Sequence, residues 1–186
     1  YLYNANYDSE ILEDISRCND LCHEFNQIKP SDRAAQSRIL EKIFAKMGKN
    51  PILNMPFWRD YRYNTTIGDY FYANHNFYIL DGGKVTFGDY VFIGPNCCFT
   101  TAEHAIDPEQ RKEGLEVARP ITVGNNVWFG AGVTVLGGVT IGDNSIIGAG
   151  SLVTRDIPSG VIAVGNPCRV LREITEADKD RYPRFE

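Results

Sequence analysis

The chain has 186 residues and a formal net charge of -5, and hydrophobic residues make up 43% of it and charged residues 23%. This composition is ordinary for a soluble globular protein of one or two small domains. The negative charge and the lack of a long basic run argue against a nucleic-acid-binding surface. No apolar run is long enough to span a bilayer, and the residues present show no signal-peptide pattern, so we expect a cytoplasmic protein.

The first 50 residues are predicted to form a helical cap. Over Tyr7–Ile28, apolar residues recur at spacings of three and four, the period of an amphipathic helix. Pro30 interrupts the pattern, and Ser31 is the predicted N-cap of a second helix that continues to Gly48, a residue suited to the C′ position. We therefore expect residues 1–50 to form a helical hairpin packed on the rest of the chain.

An imperfect six-residue pattern replaces the helical period after Pro51. An aromatic and polar segment comes first, and the sixes begin at Ile67. The pattern slips by two residues before Phe87 and then runs to Phe99. We assign residues 51–172 to one β domain and residues 173–186 to a tail.

The segment from Thr100 to Arg119 interrupts the repeat, which restarts at Pro120. A long excursion held between two stretches of rigid coil is typical of an ordered functional loop. His104 lies in this segment, and an imidazole that titrates near neutral pH can accept a proton from a hydroxyl group and later release it. His104 is the leading candidate for catalysis, with a solvated surface histidine as the alternative.

The most regular repeat covers Ile121–Pro158 and has a period of six. The first place of each unit holds a large apolar residue, at Val123, Phe129, Val135, Ile141, Ile147 and Val153. Glycine takes the second place in four units, and Val or Ser takes the fifth place in five. A coil of short strands with regular corners has this period, whereas a helix or a single strand does not. We expect the large residues inside the coil, and glycine with Asn or Asp at corners with positive φ.

Near the C-terminus, Thr175 and Asp178 are predicted to cap a last short helix, TEADKDRY. The cysteines contain no C-x-x-C pair and are interpreted as buried thiols of a reducing cytoplasm: Cys18, Cys22, Cys97, Cys98 and Cys168. The histidines lie far apart in different kinds of segment: His23, His75 and His104. We therefore expect no metal site.

The repeat follows the pattern [LIV]-G-x-x-[small]-x and resembles that of the hexapeptide-repeat acyltransferases. Segments along nearly the whole chain resemble, more narrowly, the maltose/galactoside O-acetyltransferase group, among them YNANYDSEI, FYANHN, the T-A-E-H loop and GNPCRVLREI. The resemblance implies a mainly β fold, a left-handed parallel β-helix with three hexapeptides per coil, an N-terminal helical hairpin and a short C-terminal helix. It also implies a homotrimer with sites between subunits.

The resemblance assigns the chemistry to two residues. His104 would deprotonate the acceptor hydroxyl, which attacks the thioester of acetyl-CoA directly, so that no nucleophilic Ser or Cys is needed. Asn74 matches the family residue that donates a hydrogen bond to the developing oxyanion, a contribution of about 3–4 kcal/mol. From the sequence alone, Asn74 is more simply interpreted as a corner residue of a coil.

Acceptor binding is implied at three positions where the family contacts a sugar: Asp60, Tyr72 and Asn74. Asp81 lies where the galactoside enzymes can have paired carboxylates, and Glu116 lies where some relatives have Met. Both are candidate substrate contacts, with a turn or surface carboxylate as an equal alternative. The N-terminal acceptor-binding Asp of the family corresponds to Asn6 or, with a shift, to Asp8. These departures leave the identity of the sugar open.

Coenzyme A is predicted to lie along the coils. The matching positions are Trp128, Ala131, Ala149, Thr154, Arg155, Arg169 and Arg172. The guanidinium groups near the C-terminus suit the nucleotide phosphates, although solvated surface arginines and a packing role for Trp128 are the alternatives. The chain contains neither a P-loop nor a Rossmann glycine motif.

We therefore predict an acetyl-CoA-dependent O-acetyltransferase that acts on a galactoside, maltose or a glucose-like sugar and needs no metal. An acetyltransferase of an antibiotic or an amino acid is the near alternative. A β-helical carbonic anhydrase would need three zinc-binding histidines, and the sequence has no close pair. The His104 loop disfavours a β-helix that only binds a partner.

Overall fold

The computed structural model describes residues 1–179 and 181–182. Most of the chain winds into stacked coils, and the three sides of each coil belong to three different sheets, here called face 1, face 2 and face 3 in the order in which the chain visits them. Neighbouring coils pair in parallel, as at Phe99, which is paired with Ile79 on one side and Val135 on the other. The predicted parallel β-helix is confirmed.

The strands are short, and a separate antiparallel sheet, the loop sheet, accompanies the three faces. The loop sheet comprises β1 Tyr3–Asn4, β11 Ala102–His104 and β12 Leu115–Ala118. Face 1 comprises β2 Lys46–Met47, β5 Thr65–Ile67, β8 Val85–Phe87, β13 Ile121–Val123 and β16 Thr140–Ile141. Face 2 comprises β3 Ile52–Leu53, β6 Tyr72–Ala73, β9 Phe92–Ile93, β14 Trp128–Phe129, β17 Ile146–Ile147, β19 Val161–Val164 and an antiparallel last strand, β20 Arg169–Glu173. Face 3 comprises β4 Phe57–Arg59, β7 Phe77–Leu80, β10 Cys98–Thr100, β15 Thr134–Leu136 and β18 Leu152–Val153.

The six-residue period places one large side chain of each strand inside the coil. All six first-place residues of the regular repeat are buried, each with at most 1% of its surface exposed. Aromatic rings continue this core across coils: the ring centroid of Phe99 lies 5.0 Å from that of Phe87 and 5.1 Å from that of Phe129. The predicted inward positions are confirmed.

The second-place glycines have a different role from the predicted one. The positive φ values at the corners belong to Asn126, Asn144 and other glycines such as Gly132. A Cβ added to Gly124, in the second place, would lie 2.9 Å from the backbone nitrogen of Asp143 in the next coil. Second-place glycines are therefore needed because neighbouring coils approach closely.

Helices form the N-terminal cap, as predicted, with different ends. The structure has α1 Ser9–Asn26, α2 Arg33–Ile43, α3 Pro108–Lys112 and a 3-10 helix Glu176–Asp178. The N-cap of α2 is Asp32 and not Ser31, because Asp32 Oδ1 accepts the N–H of Ala35 at 3.0 Å. Gly48 does not end α2 but belongs to the first coil, where an added Cβ would lie 2.3 Å from the backbone of Gly68.

The helical hairpin closes one end of the coil. The ring of Phe57 in β4 lies 6.4 Å from that of Phe25 in α1 and 5.7 Å from that of Phe44 after α2. Asn26, the last residue of α1, donates to the carbonyl of Phe57 at 3.0 Å and accepts the N–H of Phe57 at 2.8 Å. The cap and the coil therefore share one apolar core.

At the other end, the predicted C-terminal helix is reduced to the 3-10 helix, in which Asp178 accepts the N–H of Thr175 at 2.9 Å. Asp180 and residues 183–186 of the predicted tail lie outside the described residues. All five cysteines are free, and all except Cys98 are buried. None of the described helices has both the length and the apolar character that crossing a bilayer would require.

Candidate active site

The interruption of the repeat folds into an ordered excursion at the corner between face 3 and face 1. The chain leaves β10, forms β11, α3 and β12, and re-enters face 1 at β13. β11 and β12 pair antiparallel, and β1 adds a third strand on the other side of β12. The ordered loop expected from the sequence is present. The sequence did not indicate that β1, at the N-terminus of the chain, would pair with this loop.

His104 and Glu116 face each other across β11 and β12. Their backbones are paired, and His104 Nε2 lies 3.4 Å from Glu116 Oε1. The Glu116 side chain is 13% exposed and the His104 side chain 52% exposed, so the carboxylate is sheltered while the imidazole reaches the solvent. A carboxylate at one ring nitrogen favours the tautomer with its proton there, which leaves Nδ1 free to accept another proton.

Tyr3 holds the second oxygen of the same carboxylate. Its hydroxyl donates to Glu116 Oε2 at 3.3 Å from β1. Burial, followed by the negative charges of Glu116 and Asp60, raises the pKa of Tyr3 to about 12. The phenol therefore stays protonated at neutral pH and remains a hydrogen-bond donor.

Asp60 lies half-buried beside this group, directly after β4. Burial, followed by the negative charges of Asp81 and Glu116, raises the pKa of Asp60 to about 6, and Arg59 opposes the shift. A carboxyl group with this pKa exchanges its proton near neutral pH, so it can donate as well as accept a hydrogen bond. Because the charge of Glu116 acts on Asp60 and Glu116 contacts His104, these two predicted acceptor contacts occupy the same region as His104.

The surroundings of Asp81 match its alternative interpretation as a carboxylate that supports a turn. Its side chain is fully buried and forms an ion pair with Arg59. Its oxygens also accept the hydroxyl of Thr65 at 2.8 Å and the N–H groups of Asp60 at 3.2 Å and Tyr61 at 3.1 Å. These donors occupy the carboxylate, and Asp81 instead supports the turn that carries Asp60.

The two candidates for the N-terminal acceptor contact have different surroundings. Asp8 is the N-cap of α1, and its side chain accepts the N–H groups of Glu10 and Ile11 at 3.0 and 3.2 Å. Asn6 lies against the loop, since a Cβ added to Gly114 would lie 2.8 Å from that of Asn6. Of the two, Asn6 lies closer to the loop of His104.

Tyr72 on face 2 and Asn74, directly after its strand, line a groove of about 320 Å³ together with Trp128 and Ala131. Asn74 Oδ1 accepts the N–H of His75 at 2.8 Å. This bond uses the amide oxygen, so the amide NH2 group of Asn74 is the part that can donate to a ligand.

A single chain does not bring Asn74 and His104 together. Asn74 follows β6 at the corner between face 2 and face 3, whereas the loop of His104 leaves from the corner between face 3 and face 1. The width of face 3 separates these corners. A four-residue strand such as Phe77–Leu80 spans roughly 13 Å. The predicted base and the predicted oxyanion donor therefore lie apart in one chain.

The predicted cofactor residues fall into two groups. Trp128 is 53% exposed on face 2 and also lines a second groove of about 280 Å³ with Arg172 and Ile162. Ala131 and Ala149 occupy stacked turns, since Gly150 donates to the Ala131 carbonyl at 2.8 Å. Two further predicted contacts, Thr154 and Arg155, are exposed after β18, at a different corner from these alanines.

The two predicted phosphate-binding arginines also differ. Arg172 forms a bidentate pair with Asp178, with both N–O distances 2.7 Å, which raises the pKa of Arg172 and lowers that of Asp178. The side chain of Arg169 is exposed, and among the described residues it donates only to the neighbouring Cys168 carbonyl, at 2.7 Å. Arg169 therefore carries the less compensated positive charge, and Arg172 has an internal partner.

Within residues 1–179 and 181–182, no three His, Cys, Asp or Glu side chains come together as a group that could hold a metal ion. Cys18 and Cys22 are buried one turn apart in α1.

Comparison with known proteins shows the family of this chain. A family model described as "Maltose acetyltransferase hexapeptide capping motif" matches residues 1–48, and one described as "Bacterial transferase hexapeptide (six repeats)" matches residues 120–155. A Saccharomyces cerevisiae protein named as an acetyltransferase is 50% identical over 177 residues, which are 95% of this chain and 90% of that protein. The chain belongs to the hexapeptide-repeat acetyltransferases. The predicted family and enzyme class are confirmed.

Solved structures of this family have the same fold. Galactoside acetyltransferase in complex with coenzyme A has a TM-score of 0.93 and 43% identity, covering 98% of this chain and 91% of that one. A maltose O-acetyltransferase from Clostridium difficile 630 has a TM-score of 0.91 and 40% identity, covering 94% of this chain and 93% of that one.

Sequence reasoning missed two contacts at this candidate site. The first is the contact of Glu116 with His104. The alternating residues on either side of α3 could have indicated two paired strands of a hairpin, and this pairing brings the two residues opposite each other. The second is Tyr3, which lies 113 residues before its partner Glu116 and has no local signal in the sequence.

Proposed function

We propose that this acetyltransferase transfers the acetyl group of acetyl-CoA to a hydroxyl group of a sugar, with His104 as the general base. The observation that carries the proposal is the 3.4 Å contact between His104 Nε2 and Glu116 Oε1 on a loop anchored in rigid coils. The names of two similar structures, a maltose O-acetyltransferase and a galactoside acetyltransferase, support a sugar acceptor. The free thiols agree with a cytoplasmic location.

In the proposed reaction, Glu116 holds the Nε2 proton of His104, and Nδ1 removes the proton of the acceptor hydroxyl. The hydroxyl oxygen bonds to the thioester carbonyl carbon, and the electron pair of the C–S bond leaves with the sulfur of coenzyme A. The Nδ1 proton then passes to that sulfur, which returns His104 to its neutral form. Glu116 stabilises the intermediate imidazolium, and no acyl-enzyme is needed.

The oxyanion donor in this scheme is Asn74 of a neighbouring subunit. His104 and Asn74 lie at different corners of one coil, so they can act on one thioester only across an interface. Asn74 has its NH2 group available, because its oxygen accepts the His75 N–H. A donor of this kind contributes about 3–4 kcal/mol to the transition state.

The outer surfaces of the coil support a homotrimer. The outward positions of face 1 are polar, with Thr66, Thr86, Thr122 and Thr140 in one row. The corresponding row of face 2 is apolar and holds Ile52, Tyr72, Phe92 and Trp128, and that of face 3 includes Trp58 and Tyr78. Apolar patches of this kind are typical of subunit interfaces, so we infer association through faces 2 and 3.

Coenzyme A in this proposal lies in the groove of face 2, with its pantetheine arm against Trp128, Ala131 and Ala149. Thr154 and Arg155 come from another corner and so contact the same cofactor from a neighbouring chain. Arg169 pairs with a phosphate group. Arg172 binds a phosphate group only if its ion pair with Asp178 opens. The solved complex of the galactoside enzyme with coenzyme A supports acetyl-CoA as the acetyl donor.

The acceptor in this proposal binds between Asp60 and Glu116 on one chain and Tyr72 on the next. Carboxyl groups hydrogen-bond sugar hydroxyls, and the tyrosine offers an aromatic face.

The test is a thiol-release assay with acetyl-CoA and a panel of acceptors: a thiogalactoside, maltose, glucose, an aminoglycoside and serine. We expect release that depends on a sugar, and a loss of about 10²- to 10⁴-fold in kcat for His104→Ala. The control is His23→Ala, on the exposed side of α1. Selective turnover of the antibiotic or the amino acid would replace the sugar assignment, and full activity in a folded His104→Ala trimer would overturn the general base.

A further inference from the structure

The N-terminal strand is part of the sheet that carries the candidate base. β1 pairs with β12, with Tyr3 opposite Glu116 and Asn4 opposite Leu115. The N–H of Ala5 donates to the carbonyl of Gly114 at 3.1 Å, which extends the pairing toward α3. The loop of His104 is therefore attached to the coil at its own two ends and to the N-terminal segment along its second strand.

One side chain from each strand of the loop sheet takes part in a chain of contacts, in the order His104, Glu116 and Tyr3. Glu116 is on the central strand, and its two oxygens have different partners: Oε1 faces His104 Nε2 at 3.4 Å, and Oε2 accepts the Tyr3 hydroxyl at 3.3 Å. A carboxylate held at both oxygens from opposite sides cannot rotate without losing one contact. The orientation of Glu116 toward His104 thus depends on Tyr3.

We propose that Tyr3 is a positioning residue for catalysis, which fixes Glu116 and, through it, the proton-accepting state of His104. The inference rests on the proposed function of His104 as general base. It gives the N-terminal cap a role in the reaction in addition to closing the coil.

The charges around Glu116 support this role. The groups that face it are His104 on β11, Tyr3 on β1, and Asp60 and Tyr61 from the turn after β4. Burial and the negative charges of Glu116 and Asp60 raise the pKa of Tyr3 to about 12, so its hydroxyl remains a donor over the working pH range of the enzyme. By donating, Tyr3 holds Glu116 in place, so that the carboxylate charge stays at His104 Nε2.

The variants Tyr3→Phe and Glu116→Gln separate this role from a structural one. Without the hydroxyl, Glu116 can turn away from His104, so the imidazolium loses part of its counter-charge and the acid limb of the pH–rate profile moves to lower pH. Without the charge, in Glu116→Gln, the acid limb moves in the same direction and further, by about 0.5–1 pH unit. We expect Tyr3→Phe to lower kcat roughly 3- to 10-fold with the KM for acetyl-CoA unchanged.

Tyr63→Phe is the matched control. Tyr63 also donates its hydroxyl to a carboxylate, that of Asp14 at 3.1 Å, but its partner lies on α1 and not on the loop sheet. We expect no displacement of the acid limb in this variant. In the double variant Tyr3→Phe/Glu116→Gln, the limb should coincide with that of Glu116→Gln, because Tyr3 acts through Glu116.

A titration of the imidazole by NMR gives a readout that does not require activity. The chain has three histidines, so His104→Ala identifies the resonance of His104. Displacement of the His104 titration to lower pH in both Tyr3→Phe and Glu116→Gln, and less far in Tyr3→Phe, would support the proposal, and displacement to higher pH in Tyr3→Phe would overturn it. If Tyr3→Phe matches Tyr63→Phe in both readouts while His104→Ala is inactive, the role of Tyr3 is wrong and the proposed function stands. If His104→Ala remains active, the general base itself is wrong.

Discussion

Arg59 and Asp81 form an ion pair whose two side chains are completely buried below the candidate acceptor region. Arg59 also donates to the Ile43 carbonyl at the end of α2, at 3.1 Å, and its guanidinium lies 4.8 Å from the centroid of the Phe44 ring. Arg59 Nε has no hydrogen-bond partner among the described residues. The pair therefore connects the cap, the coil and the turn of Asp60 at one internal point.

Removing one member of this pair should be strongly destabilising. In Asp81→Asn, Arg59 remains buried without a counter-charge, and we expect a loss of about 3–5 kcal/mol in the free energy of unfolding. Urea unfolding at a fixed protein concentration measures it. The control is Asp20→Asn, the same change at an exposed position on α1, for which we expect a change below about 0.5 kcal/mol. Equal stability of the two variants would show that the buried pair is dispensable.

Asp60 should make the folded state less stable as the pH rises. Its pKa is raised to about 6 in the folded chain, so the folded state binds its proton more tightly than the unfolded state does. The associated stability is complete below about pH 4 and is lost between about pH 4 and pH 6. After allowance for solvent screening, Asp60→Asn should be about 2 kcal/mol more stable than the wild type at pH 7.

Urea unfolding of both proteins at pH 4 and pH 7 tests this expectation. The advantage of Asp60→Asn should be far larger at the higher pH, since at the lower one Asp60 is protonated in the folded state and about half protonated in the unfolded state. An advantage of the same size at both values would contradict an electrostatic origin.

Mixed trimers should recover activity from two inactive parents. His104→Ala lacks the base and Asn74→Ala lacks the oxyanion donor, yet a site between unlike subunits can receive both groups intact. Random assembly of an equal mixture gives about a quarter of the sites both groups. We therefore expect about a quarter of the wild-type rate after joint refolding, measured by thiol release.

Separately refolded and then combined parents are the control for the mixed trimers and should stay inactive while subunits do not exchange. No recovery in jointly refolded samples that contain hybrid trimers would place both groups within one subunit's site.

The two C-terminal arginines should differ in their effect on coenzyme A binding. Arg169→Ala should raise the KM for acetyl-CoA about 5- to 10-fold, since it removes an uncompensated charge–phosphate contact. Arg172→Ala should change that KM less, because Asp178 already neutralises Arg172. Initial rates at varied acetyl-CoA concentration measure both. A larger effect at Arg172 would mean that the pair with Asp178 opens when the cofactor binds.

The period of six in the sequence predicted much of this fold. Each side of a coil is built from consecutive residues, so the place of a residue in the repeat determines whether its side chain points into the coil. The burial of Val135 and Ile147 could therefore be predicted without knowledge of distant contacts. The break at His104 was equally local, because it is a departure from the same period. The ends of α2 were mispredicted because Asp32 competes with Ser31 for the cap, and because Gly48 serves the contact between coils.

The sequence by itself determined the coil, its inward residues and the place of the candidate base. Only the tertiary structure decided that Asp81 is buried against Arg59, that Arg172 is paired with Asp178, and that Asn74 lies at a different corner from His104. Tyr3 meets Glu116 across 113 residues of chain, and this contact depends on the pairing of β1 with β12. A short-range repeat specifies which way each side chain points, whereas the partners of a charged group depend on which distant segments the completed fold packs against it.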